Sequence, residues 1–351
     1  MKDRRDIAVS YSLAGGADVV AEETGFELPP GAWAPALVPP EGQGSFSRGS
    51  DAPKKWEMTV RVPADFRVYA SGREHGHSNE GPDVEFRFQQ RHGGALAFAA
   101  GGAYQEIRMA APGGEVIFWT RQAMPQDAAQ LGAGVAAQTV RFFDGQFGAR
   151  AKDARPVHII ECTSPQPCWA VPGAALPSPE LYGAQFWNSS PWPLIRQLAR
   201  TWLDFRVHPD WREEPYPMGA LANYAADLAV AGTGGESARR RIIRERLEEF
   251  DHLQLSERAV AALNVRQTDS AAVRQYAEFQ SELFFFALED AAGSENLRRA
   301  LAHLLGTYAG STWSASDLRS AVEQECGKDL GPLFRAWLTE AGIPAEFRNR
   351  Y

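Results

Sequence analysis

Arg196 and Arg200 stand four residues apart in the run Arg196-Gln197-Leu198-Ala199-Arg200-Thr201-Trp202-Leu203, so a helix there carries both on one face. A guanidinium offers N–H donors and no lone pair, a chemistry suited to carboxylates and closed to metal ligation. Gln197, between them, cannot take a proton from water. Asp204, one turn further on, is placed to pair with Arg200, a helix contact worth about 0.3–0.5 kcal/mol, leaving Arg196 to reach solvent or a buried acid. The alternative keeps both arginines for a ligand, an anionic group or C-terminal carboxylate held through bidentate contacts. Other reactive types are scattered. His75 and His77 share a Gly-rich turn and read as a solvated surface pair, while His92, His158, His208, His252 and His303 stand singly. There is no Gly-x-Ser-x-Gly, and Gly232–Gly235 lacks the Lys-Ser/Thr ending of a phosphate loop. Cys162 and Cys168 match no structural zinc spacing; they are two unrelated thiols or a bridge formed in an oxidising compartment, and Cys326 is alone.

The elements that must hold these residues fall into two groups. Lys55–Pro63, Val84–Phe88 and Glu115–Trp119 alternate apolar and polar residues as half-buried strands do, separated by turn clusters such as Gly72–Asp83. Pro29–Gly44, with five prolines, reads as an irregular connection. From Met124 the spacing becomes helical. Helices are predicted over Gln126–Phe147, Pro193–Val207, Met218–Ala231, Glu236–Leu253, Ser270–Ala292, Glu295–Tyr308, Ala315–Cys326 and Gly331–Ala341. Pro156–Ile160 is a short strand, Ser314 or Ser316 caps the Ala315 helix, and Gly342 with Pro344 stops the last one. The expectation is an α+β chain: a β-rich domain over 1–122 and a mainly helical one over 123–351.

Composition bounds the function. The 351 residues carry a net charge of −8, with 44% hydrophobic and 23% charged side chains. That excludes wholesale disorder and argues against a nucleic-acid partner, which normally meets a basic surplus. Of 36 basic residues 31 are arginine, a bias that with abundant Ala and Gly reads as a GC-rich, bacterial-type coding background. No apolar run approaches the roughly 18 residues of a membrane span, and the start is charged, so a soluble chain without an export signal is expected. The compartment is not fixed by the sequence.

Three stretches together resemble the gluzincin zinc aminopeptidases, the family of membrane alanyl aminopeptidase and leukotriene hydrolase. Arg196–Leu203 is similar to the family's H-E-L-A-H-Q-W-F helix, Leu221-Ala222-Asn223-Tyr224 to the end of E-G-F-A-x-Y, and Trp337–Pro344 to its closing W-L-x-x-x-G-x-P. Phe98–Tyr104 resembles the end of its N-terminal β-domain, here shorter than usual. The resemblance implies a thermolysin-like second domain, but with its chemistry replaced. The two His ligands fall on Arg196 and Arg200, the general base on Gln197, and the third ligand, after eighteen intervening residues, on Gly219. The family's oxyanion-stabilising tyrosine falls on Tyr276, as that donor or as a packing residue, and its amine-anchoring Glu falls on Ala170. Trp169, Trp187, Trp192, Trp202 and Trp211 gather around the former cleft, filling volume or lining a partner groove. The implied protein is a pseudopeptidase with a binding, scaffolding or regulatory role, without cofactor, engaging a peptide or protein partner or a larger assembly. The alternative is an active zinc aminopeptidase with unrecognised ligands; a third reading makes the chain a fragment of a longer membrane-associated protein.

Overall fold

The structure, a computed structural model, describes residues 20–22, 25–28, 56–90, 98–111, 114–121, 123–148, 156–161, 170–171, 174–175, 191–203, 208–209, 217–232, 234–253, 271–309, 312–340 and 342–351. The chain divides into two compact units, Met1–Tyr104 and Gln105–Tyr351.

The first unit is built from Val20–Glu22 (β1), Gly25–Leu28 (β2), Trp56–Pro63 (β3), Arg67–Ala70 (β4), Arg73–Glu80 (β5), Asp83–Gln90 (β6) and Ala99–Gly102 (β7). One antiparallel sheet has the order β1-β2-β7-β4 and the other β3-β6-β5. The β3–β6 ladder shows why alternation specifies its register. Met58, Val60 and Val62 lie opposite Phe88, Phe86 and Val84, while Glu57, Thr59 and Arg61 meet Gln89, Arg87 and Glu85 on the other face. A one-residue slip would turn the apolar row to solvent. Val62, Val84 and Phe88 share a core with Val68, Ala70 and Ala99 of the other sheet.

The second unit opens with a mixed sheet. Gln105–Ala111 (β8) pairs antiparallel with Gly114–Thr120 (β9), which pairs parallel with Val157–Ile160 (β10). Ala170–Val171 (β11) and Ala174–Ala175 (β12) complete the order β11-β12-β10-β9-β8. A parallel pair needs a crossover, and Gln126–Phe147 (α1) supplies it. It buries Ala128, Ala129, Ala133, Ala136, Val140, Phe143 and Phe147, the helical spacing visible in the sequence. β8 and β9 hydrogen-bond on to β10 and so belong to the second compact unit, which starts at Gln105.

The rest is helical: Trp192–Leu203 (α2), Pro217–Ala231 (α3), Gly235–His252 (α4), Ala271–Ala292 (α5), Ser294–Thr307 (α6), Ala315–Cys326 (α7), Gly331–Leu338 (α8) and Ala345–Arg350 (α9). His208–Pro209 (β13) and Thr312–Trp313 (β14) form a two-residue parallel pair. Helix α5 is the centre of the lobe, buried almost continuously from Gln280 to Glu289, with Phe284, Phe285 and Phe286 in the core. Its Gln280 amide donates to the carbonyls of Trp337, Glu340 and Gly342 at 2.9–3.1 Å and so anchors the C-terminal Trp337–Gly342 run. Ser314 is the cap of α7: its hydroxyl accepts from the Asp317 N–H, and the Asp317 carboxylate takes the Ser314 N–H in return. Gly342 has φ +89°, a left-handed backbone that glycine adopts freely and that ends the run. The observed architecture is thus α+β, antiparallel sheets followed by a helical region. Among the described residues no helix is long and apolar enough to cross a membrane.

Candidate functional site

Helix α2 presents two different faces. Leu194, Ile195, Gln197, Leu198, Ala199, Trp202 and Leu203 are buried against the lobe, while Arg196 and Arg200 emerge half-buried. Arg196 turns toward α3 and α5. Its Nε donates to Asn223 Oδ1 and its Nη2 to Glu278 Oε1 at 2.8 Å. Asn223 in turn donates its amide to Glu278 Oε1 at 3.1 Å and Glu282 Oε2 at 2.9 Å. From Glu282 the chain of contacts reaches α4, where Arg246 sits 2.8 Å from Glu282 Oε1, 2.8 Å from Asp227 and 2.8 Å from Glu249. Trp192 closes it, donating its indole N–H to Asp227 at 2.6 Å and lying under the Arg246 guanidinium, 4.9 Å from its ring centroid. Six charged groups and two neutral ones therefore join four helices.

Burial sets the electrostatics. Asp227 and Glu282 side chains are each 1% exposed and Arg246 is 15% exposed. Burial, then the neighbouring Asp227, push the Glu282 carboxyl well above its ordinary value, against the pull of Arg246 and the Asn223 amide. Burial alone would lower Arg246, but its hydrogen bond to Asp227 and the charges of Glu282 and Asp227 outweigh it and hold the guanidinium above its usual range. Glu282 thus makes stability depend on pH. A carboxyl raised in the folded state contributes stability that is complete below about 4.5, the ordinary value, and lost as pH rises through the raised one. Denaturant midpoints measured from pH 5 to 8 are expected to fall with a slope that Glu282→Gln flattens; parallel profiles for the two proteins would refute this.

These helices enclose a cleft of about 620 Å³ lined by Trp192, Arg196, Asn223, Arg246, Glu249, His252, Leu253, Glu278, Phe279 and Glu282. The residues singled out in the sequence are distributed unevenly around it. Arg196 and Trp192 line it; Gln197 is buried behind it, and Gly219 lies in the first turn of α3. Tyr276 is buried on α5 with its ring 4.6 Å from Phe250, outside the lining. Ala170 is in β11, paired with Ala175. Trp202 is buried 6.3 Å from Phe143. Asp204, Cys162, Cys168, Trp169, Trp187 and Trp211 lie outside the described residues. Asn223, Asp227, Arg246, Glu278 and Glu282 carry the site without having been singled out for it. The one signal in the sequence for four of them is a polar pair four residues apart, Asn223/Asp227 in the mostly apolar α3 and Glu278/Glu282 just before the apolar run of α5.

Zinc does not fit the residues at the three positions that the resemblance assigns to its ligands. Arg196 fills the first with a guanidinium already bonded to Glu278 and Asn223, Arg200 brings a second cation, and Gly219 has no side chain. Among the described residues no group of three His, Cys, Asp or Glu side chains is arranged to hold a metal ion.

No family model matches the sequence. A 57-residue stretch, 16% of this chain, is 37% identical to the Tricorn protease-interacting factor F2 of Thermoplasma volcanium, and it spans only 7% of that protein. The fold is similar to that of an M1 zinc metallopeptidase from Deinococcus radiodurans, with a TM-score of 0.64 and 17% identity over 84% of this chain and 66% of that one. A glutamate-to-alanine mutant from the same organism gives 0.65 and 17% over 84% and 67%. The chain spans about two thirds of the length of these structures. At that identity the likeness establishes the architecture: this chain has the fold of the M1 zinc metallopeptidases.

Proposed function

We propose that this chain is an M1 aminopeptidase relative that has lost its zinc motif and acts by binding, in a scaffolding or regulatory role, with no hydrolysis of peptides. The observation that carries the reading is Arg196, which stands at the first ligand position and is tied to Glu278 and Asn223 by charge-assisted hydrogen bonds. A divalent cation there would meet a fixed positive charge, and breaking the Arg196–Glu278 pair to admit it would strand a partly buried carboxylate. Gln197 in the base position and Gly219 in the third-ligand position support the same conclusion, since peptide hydrolysis on zinc needs both the metal and a proton acceptor.

The test is metal analysis of the purified protein after incubation with zinc, together with turnover of an amino-acyl anilide. No stoichiometric zinc and no turnover above the uncatalysed rate are expected. Stoichiometric zinc with chelator-sensitive turnover would instead establish an active aminopeptidase with a different ligand set.

A further inference from the structure

We propose that the cleft between α2, α3, α4 and α5 is a receptor for an organic cation, the guanidinium of an arginine side chain in a peptide. This deepens the binding role proposed above and rests on it only in that the ligand leaves intact.

The volume of about 620 Å³ lies within the range of small-ligand pockets, which run from about 300 to 1,000 Å³. The charges that line it decide the sign of the ligand. Arg196 and Arg246 are the cations, and both are already engaged: Arg196 by Glu278 and Asn223, Arg246 by Asp227, Glu282 and Glu249. An anion would have to displace carboxylates that sit 2.8 Å from these guanidiniums, two of them almost fully buried. The acids are less fully used. Glu278 gives Oε1 to Arg196 and Asn223, and Glu249 gives Oε2 to Arg246, so each keeps a second oxygen without a partner among the described residues. Their side chains remain 35% and 48% exposed. Phe279 and Leu253 supply apolar wall for an aliphatic stem, as a long basic side chain requires. The planar fork of arginine can bridge two carboxylates, which the point charge of lysine does less well.

The experiment is calorimetric titration of the full chain at pH 7 and low salt with acetyl-Gly-Arg-Gly-amide, the isosteric citrulline peptide and the glutamate peptide. The capped terminus removes the free amine, so the side chain alone is compared. The arginine peptide is expected to bind at least tenfold more tightly than the citrulline peptide, to weaken with added salt, and to outcompete the glutamate peptide. Glu249→Gln, at an exposed position that leaves the fold intact, is expected to weaken it about fivefold, and Glu278→Gln by at least as much. Equal affinity for arginine and citrulline, a preference for glutamate, no binding at millimolar peptide, or indifference to Glu249→Gln would overturn the proposal. Anilide turnover by a protein that keeps arginine selectivity would remove the non-catalytic reading and leave this one standing. An inert protein without that selectivity would do the reverse.

Discussion

Arg246→Met is expected to destabilise the protein by about 3–5 kcal/mol, because it leaves the Asp227 carboxylate, beside the buried Glu282 carboxyl, in the protein interior without its cation. Methionine fills most of the volume, so the loss measures the charge and not a cavity. Trp192 stacks on Arg246 and donates to Asp227, so the docking of α2 on α3 loosens with it. Denaturant unfolding reads the effect. Combining the change with Asp227→Asn and Glu282→Gln is expected to recover most of the loss, since no unpaired charge then remains buried. A single-variant cost below about 1 kcal/mol would show that water reaches these carboxylates and that the network is effectively at the surface.

Phe284→Ala is expected to cost a similar amount, about 3–5 kcal/mol, for the opposite physical reason. Phe284 is buried on α5, with its ring edge-on to Phe334 at 5.0 Å and within 5.5 Å of Phe285 and 6.3 Å of Trp337. Truncation opens a cavity under α8, whose Phe334 and Trp337 lose their main partner in α5. The Gln280 amide still holds the Trp337, Glu340 and Gly342 carbonyls, so the C-terminal run stays attached while its packing is lost. Hydrogen exchange across Gly331–Leu338 is expected to accelerate more than across α1. A uniform change would show that α8 is not docked through this ring.

The helices were legible to within a few residues because their signals are local. Apolar spacing delimits Gln126–Phe147 and Ala315–Cys326 as the structure has them, and Ser314 is one of two caps that spacing allowed. The β3–β6 ladder was half visible in the same way, through alternation in Lys55–Pro63 and Val84–Phe88. Weak local patterns were missed. Gln105–Ala111 has only Ile107 and Met109 to mark a buried face, and its membership in the second unit comes from pairing through β9 to β10. The six residues of Ala345–Arg350 are too few for a helical period to stand out after Pro344. The helix predicted through Ala341 ends at Leu338, with the chain beyond it gathered by the Gln280 amide.

The site divides along the same line. That arginine, glutamine and glycine stand at Arg196, Arg200, Gln197 and Gly219, the positions to which the resemblance assigns two metal ligands, a base and a third ligand, is a matter of residue identity, which no folding can alter. What Arg196 touches is not encoded in any local pattern. Its acid, Glu278, is 82 residues away and its amide, Asn223, is 27 away. Whether a guanidinium is free for an anion or committed to a carboxylate depends on which helices pack beside it and how deeply. Periodicity specifies which face of a helix is buried, but contact between distant polar groups is a property of the packed core.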